Sequence, residues 1–278
     1  MRTILQRSLV AIALLAASVT AGHAGAWTQK KHHLYDRLAF NYYFADRNFD
    51  RDGDRVDFAN DGEFTDYNLS NYFEYGLTDS LTVLGSLTYK RIEKDDDLRR
   101  DTTWGVGDIE LGLRRRLVEN PIGVFSVQTL VKIPETYDED DPLPLGNGQY
   151  DVEGKLLYGR SLWPLLPGYT NLELGYRWRD EDPSDEIRYL VEVGFDLSPK
   201  VFTRAKLDGI FSVDNGRRRD SSGNPTTTNN FDLAKLDLTV GYKLTKAWGI
   251  EAAWTPAVYG QNTAAGATYT LAIYYSTP

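Results

Sequence analysis

Two short stretches carry residue types suited to metal chemistry. Lys30-Lys31-His32-His33 places two imidazoles side by side, and Asp50-Arg51-Asp52-Gly53-Asp54 sets three carboxylates at alternate positions. Neutral imidazole is a good metal ligand, but the adjoining lysines oppose a cation, so the stretch reads as a solvated segment ahead of the first strand. The aspartate loop has the early spacing of a calcium loop. An EF-hand also needs glycine at its sixth position and glutamate at its twelfth. Here Gly53 stands fourth and Asp61 twelfth. Asp50, Asp52 and Asp54 remain the chain's metal candidates, for a loosely held calcium ion; no resident metal or cofactor is expected.

Catalysis has few groups to draw on. There is no cysteine, and the histidines are His23, His32 and His33, all near the N-terminus. A histidine-based triad elsewhere in the chain is excluded by inventory. Carboxylates are plentiful, but bases accompany them at similar spacings, which fits ion pairing better than acid–base chemistry. An enzyme is not expected.

The charged residues themselves are the candidate site. Asp66, Glu74, Asp108, Glu110, Asp151, Glu153, Glu173, Glu192, Asp196, Asp208, Asp237 and Glu251 fall on the polar side of alternating segments. So do Lys90, Arg114, Arg116, Lys132, Lys155, Arg177, Arg179, Arg188, Arg204, Lys206, Lys235 and Lys243. Acids and bases are balanced, which argues against selection for one sign of ion.

The elements that must position these groups are strands. In WGVGDIELGLRRRL, Ile109, Leu111 and Leu113 alternate with Asp108, Glu110, Gly112 and Arg114. A period of two sends successive side chains to opposite faces of an extended chain. Twelve such segments are predicted: 34–47, 64–77, 81–92, 104–118, 122–134, 149–161, 169–180, 186–197, 201–214, 231–244, 248–258 and 267–276. Helical periodicity is hard to find in any of them, and no linker divides the chain.

The N-terminus narrows the compartment. MRTILQRSLVAIALLAASVTAGHAGA has two arginines, no acid, an apolar run from Leu9 to Ala17, and small residues around Ala24-Gly25-Ala26. That is the pattern of a cleaved secretory signal peptide. The reading assigns residues 1–26 to the signal and 27–278 to one barrel domain, with cleavage after Ala24 or after Ala26. Without Arg2 and Arg7 the formal charge moves from −9 to −11. So acidic a chain has no general attraction for nucleic acid.

Beyond the leader no apolar run is long enough for a membrane helix, so a spanning structure would have to be a closed sheet. The connections alternate in length. Thr78-Asp79-Ser80, Glu119-Asn120-Pro121, Ser198-Pro199-Lys200 and Thr245-Lys246-Ala247 are short; 48–63, 93–103, 135–148, 215–230 and 259–266 are long and polar. Short turns at one rim and long loops at the other characterise bacterial outer-membrane barrels. Tyr67, Tyr89 and Trp178 are placed near one rim and Tyr75, Phe195 and Tyr242 near the other, as an aromatic girdle requires. The predicted fold is all-β, a transmembrane antiparallel up-and-down barrel of about twelve strands. The expected location is the outer membrane of a Gram-negative bacterium, with both termini periplasmic. Alternation alone also allows a soluble barrel with its apolar face inside.

NYFEYGLTDSLTVLGSLTYKR (Asn71–Arg91) and GVGDIELGLRRRL (Gly105–Leu117) resemble the MetA-pathway of phenol degradation family of outer-membrane proteins. The recurring pieces are YGLTDxLTV at a hairpin and a GxGDxxLGxxxxL strand, covering about residues 64–118; the rest matches as a strand-and-turn pattern. The resemblance implies a barrel that passes small, often aromatic or hydrophobic molecules.

The expected function is a narrow passive channel for small solutes, with outer-membrane lipid, lipopolysaccharide, the solute and, during biogenesis, the barrel assembly machinery as partners. The alternative is a non-conducting, salt-bridged barrel that binds surface ligands through its acidic loops. A hydrophobic solute would need an apolar capture site, which the loops Tyr137–Leu145 and Phe49–Phe58 could supply.

Overall fold

The computed structural model describes residues 25–278 apart from 135, 139, 140, 181–183 and 215–229. Residues 1–24 of the predicted signal peptide and most of the predicted loop 215–230 lie outside the described residues. In chain order the strands are β1 (Leu34–Ala45), β2 (Arg47–Phe49), β3 (Arg55–Asp57), β4 (Glu63–Thr78), β5 (Leu81–Asp95), β6 (Arg100–Val106), β7 (Ile109–Asn120) and β8 (Gly123–Ile133). They continue as β9 (Asp151–Ser161), β10 (Gly168–Arg179), β11 (Glu186–Asp196), β12 (Val201–Ser212), β13 (Asp232–Lys243), β14 (Trp248–Gln261), β15 (Thr263–Ala264) and β16 (Ala267–Ser276). One short 3-10 turn, Ala59–Asp61, is the helical content of the described residues.

Each wall strand pairs antiparallel with its sequence neighbour, and the ring closes where β1 meets both β4 and β16. The result is a closed antiparallel barrel of twelve strands, with β6 and β7 forming one interrupted strand. Closure leaves the wall no free sheet edge except along β6, which pairs with β5 alone. The predicted strands match the wall, with two differences. The predicted strand 104–118 breaks at Gly107-Asp108: β5 pairs with β6 through Tyr89–Asp95 and with β7 through Leu81–Ser86. The break leaves the Gly107 carbonyl and the Asp108 side chain as acceptors for a loop. In addition, β2, β3 and β15 form a small separate sheet at the long-loop end.

The wall is inside-out relative to a soluble protein. Leu38, Phe40, Leu69, Leu111, Leu113, Leu172, Leu174, Val191, Leu238, Val240 and Leu271 are exposed on its outer face, while Glu74, Arg114, Lys132, Asp151, Glu153, Arg177, Glu192 and Glu251 are buried inside. Aqueous solvent would penalise such a continuous apolar exterior; a bilayer would not. Ring pairs mark both margins of this belt. Tyr42–Tyr67, Tyr89–Trp104 and Tyr176–Trp178 stand toward the long loops; Phe125–Tyr158 and Trp248–Tyr275 stand toward the short turns. Among the described residues no helix is long and apolar enough to cross a membrane.

Candidate functional site

The interior is crossed by ion pairs. Near the short-turn end, Arg114 Nη1 donates to Glu74 at 2.9 Å, with both side chains almost fully withdrawn from solvent. Tyr72 and Gln29 also donate to Glu74, at 2.5 and 2.9 Å. On β1, the strand next to β4, Arg37 Nε lies 2.8 Å from Glu251, and Arg204 bridges Glu251 and Glu192 at 3.6 and 3.8 Å. Lys243 pairs with Asp196 at 2.6 Å.

Toward the long loops Arg177 reaches three carboxylates: Glu153 at 2.9 Å, Glu110 at 3.0 Å and Asp151 at 3.4 Å. Arg188 and Lys155 add to Glu153 at 3.4 and 3.1 Å, and Lys132 adds to Asp151 at 3.1 Å. Removing two charges from water costs several kcal/mol per ion unless geometry and further hydrogen bonds compensate. Here each buried acid meets more than one donor.

The sequence-predicted residues thus share one interior. Asp66 pairs with Lys90, Lys206 lies 3.9 Å from Asp208, and Asp237 accepts from Thr239 and Thr255. Arg116 instead turns to Glu119 near the short-turn rim. Glu173 holds Lys155 at 3.5 Å and accepts from Asn171. Lys235 borders the same central cavity as Glu173, Arg188 and Asp208. The candidate metal residues are not brought together: Asp50 Oδ1 accepts the backbone N–H groups of Asp52 and Asp54, shaping the loop itself. Among the described residues no group of three or more such ligands is placed to hold a metal ion.

Two segments enter the bore. From the short-turn end, Gly25–Gln29 runs inside the wall. Ala26 is fully buried against Val124 and Leu157 beneath Trp27. Arg114 donates to the Trp27 carbonyl at 3.1 Å, and Gln29 N–H donates to Thr82 Oγ1 at 2.8 Å. Lys30, Lys31 and His32 are exposed, as expected of a solvated segment, and the Lys30–His33 stretch is also a turn fastened to the rim. His32 N–H donates to the Gly76 carbonyl, Lys31 N–H donates to Asp79, and His32 Nδ1 lies 3.0 Å from the Tyr75 hydroxyl.

From the other end, the loop between β8 and β9 folds inward. Tyr137 donates to Asp108 at 2.6 Å and accepts the Gly148 N–H at 2.9 Å. Thr136 donates to the freed Gly107 carbonyl, and Lys90 donates to the Leu145 carbonyl. Leu143 and Leu145 pack on Phe64 and Ile92, with Tyr43, Phe58 and Tyr137 around them. Both loops named for apolar capture therefore contribute to one cluster.

Between the two segments lies a cavity of about 160 Å³. Glu110, Glu153, Lys155, Glu173, Arg177, Arg188, Asp208 and Lys235 give it polar walls, while Leu130, Leu190, Ile210 and Leu233 give it an apolar one. Asp208 Oδ1 is buried without a hydrogen-bond partner. The four apolar residues occupy inward positions; alternation places Leu190 and Tyr72 on the inward faces, but neither was singled out as a site residue. Sequence reading missed Arg37, Tyr169, whose hydroxyl donates to Glu192 at 2.7 Å, and the Gly25–Gln29 segment. Arg37 was findable, because it alternates with outward Leu38 and Phe40; the others depend on contacts made only after closure.

Closed twelve-strand wall, apolar exterior, paired aromatic margins and charged interior together define the class as an outer-membrane-type β-barrel. No family model matches the chain, and no curated protein does. Among solved structures it is similar to the COG4313 outer membrane channel from Pseudomonas putida F1, with TM-score 0.75 and 15% identity over 91% of this chain and 98% of that one. The translocator domain of the autotransporter NalP from Neisseria meningitidis gives TM-score 0.49 at 13% identity, covering 99% of this chain and 97% of that one. The TodX deltaS2S3 mutant monoaromatic hydrocarbon channel gives 0.48 at 9% identity, covering 90% and 91%. The likeness is one of fold.

Proposed function

We propose that this protein is a passive channel of the Gram-negative outer membrane, its termini in the periplasm, that admits small solutes bearing an apolar ring or chain and a hydrogen-bonding group. The observation that carries this reading is the central cavity. Leu130, Leu190, Ile210 and Leu233 offer an apolar wall, and the Asp208 carboxylate lines the same cavity as an acceptor. A carboxylate has about four lone-pair sites, so it has capacity to accept a solute hydroxyl. A phenol-like molecule has both parts, in keeping with the family resemblance of Asn71–Arg91 and Gly105–Leu117. The channel residues of the reading are those predicted from sequence, with Glu110, Glu173, Arg177, Arg188, Asp208 and Lys235 around the central cavity. The COG4313 outer membrane channel, similar in fold, is in keeping with the channel reading.

The test is single-channel recording of the refolded mature protein in planar bilayers, with phenol titrated as a blocker. Discrete openings, blocked by phenol in the wild type and blocked less in Asp208→Asn, support the reading. An inserted, heat-modifiable barrel with no conductance would overturn it in favour of the salt-bridged, non-conducting barrel.

A further inference from the structure

We propose that the exported chain begins at Gly25 and that its α-ammonium group pairs with Glu173 midway along the barrel, anchoring the segment inside. The inference concerns processing and stands whether or not the barrel conducts.

Sequence leaves two cleavage positions open. Gly22-His23-Ala24 and Ala24-Gly25-Ala26 both supply the small residues that signal peptidase requires. The structure separates them. Ala26 is completely buried. Its carbonyl accepts Ser126 Oγ, and its N–H donates to Asn171 Oδ1 at 3.2 Å. Ser126 and Asn171 are themselves buried. Cleavage after Ala26 would leave both without these partners and would empty a site between Val124 and Leu157. It would also create an ammonium on Trp27, whose carbonyl already receives the Arg114 guanidinium. A second cation would then sit beside the first, next to apolar side chains.

Cleavage after Ala24 has the opposite result. Water adds across the Ala24–Gly25 amide; the carboxylate leaves with the leader, and the Gly25 amine takes up a proton, since such amines titrate near pH 8. Gly25 adopts φ +25°, and a Cβ there would lie 2.4 Å from Glu173 Oε1 and 2.1 Å from Asn171 Nδ2. The Gly25 Cα therefore rests against this acid, and the new ammonium is one bond away. Glu173 receives Asn171 Nδ2 at 3.0 Å on Oε1 and Lys155 at 3.5 Å on Oε2. A carboxylate has about four lone-pair sites, so it has capacity for the ammonium.

The experiment uses protein purified from outer membranes. N-terminal sequencing and intact mass are expected to read Gly-Ala-Trp-Thr-Gln and residues 25–278; a start at Trp27 overturns the proposal. Reductive methylation with labelled formaldehyde then reports the amine. Its labelling in the folded barrel is expected to be about tenfold slower than in the denatured chain, as for other groups reached only through local opening. Glu173→Gln, with heat-modifiability retained, is expected to label several-fold faster than wild type. Gly25→Ala, whose methyl group collides with Asn171 and Glu173, tests the same contact if Glu173→Gln fails to assemble. An amine labelled as fast as in the denatured chain, or unaffected by the assembling variants, overturns the pairing.

Discussion

Arg114 on β7 and Glu74 on β4 meet at 2.9 Å across the intervening β5, inside the wall and nearly dry. The same guanidinium holds the Trp27 carbonyl and Gln128, and the same carboxylate receives Gln29. One ion pair thus fastens the N-terminal segment to the barrel. Arg114→Ala leaves Glu74 without its cation. Breaking a buried pair from one side typically costs about 3–5 kcal/mol. Lower heat-modification stability is expected, with larger and noisier conductance as residues 25–29 loosen. Unchanged stability in a thermal gel-shift series would refute this.

The two faces of β7 make opposite predictions. Leu111 is exposed on the outer wall, while Glu110 faces inward to Arg177. Leu111→Arg is expected to impair assembly, because an arginine at the bilayer midplane costs about 2–4 kcal/mol. Glu110→Gln should assemble normally and alter single-channel current. Normal assembly of the first together with failure of the second would mean the faces are reversed.

At the long-loop end, Tyr137 is the fastening of the inward loop. Tyr137→Phe removes its hydrogen bonds to Asp108 and from Gly148. A net loss of about 1 kcal/mol per bond is usual. Faster amide exchange at Gly148 is expected, together with more frequent openings. Exchange equal to wild type would show that the Leu143–Leu145 packing alone holds the loop.

Deleting residues 25–29 should leave the wall intact, since the strand ladder closes through β1 and β16 without them. Higher conductance is the expected result, with heat-modifiability retained at a lower transition temperature because Ser126, Asn171 and Arg114 lose partners, read in bilayers and gels beside the full mature chain. Equal conductance would locate the resistance entirely at the β8–β9 loop.

The hairpin between β5 and β6 should respond to acid. Asp96 Oδ1 accepts the N–H groups of Leu98 and Arg99, and these bonds hold its carboxyl below the ordinary aspartate range. A depressed folded-state value means that the turn's contribution is fully present above the ordinary range and is lost as pH falls through the lowered value. Amide exchange at Leu98 should rise only in that acid window. Asp96→Asn should flatten the dependence.

The wall was legible in the sequence because a strand's period is two and a membrane reverses which face is greasy. Leu111 and Glu110 declare their sides wherever the strand stands in the ring. Strand count, the alternation of short and long connections and the charged interior all follow from that local rule. The interruption at Gly107-Asp108 was legible only as a phase slip, the apolar positions changing from even (Trp104, Val106) to odd (Ile109, Leu111, Leu113), and its use not at all. It exists because Thr136 and Tyr137, from a distant loop, take the groups it frees. Nor could Lys30–His33 be read as a fastened turn, since its partners Gly76 and Asp79 lie more than forty residues away.

By itself, then, the sequence determined a barrel with an apolar exterior and balanced charges within, through side-chain alternation that each strand carries alone. Tertiary structure alone decided what fills the bore. Which acid meets which base depends on register between strands. Whether Gly25–Gln29 and the Tyr137 loop lie inside depends on hydrogen-bonding groups that closure gathers from across the chain. The Leu130–Leu190–Ile210–Leu233 wall comes from four separate strands, and no local pattern marks such a surface until the ring is closed.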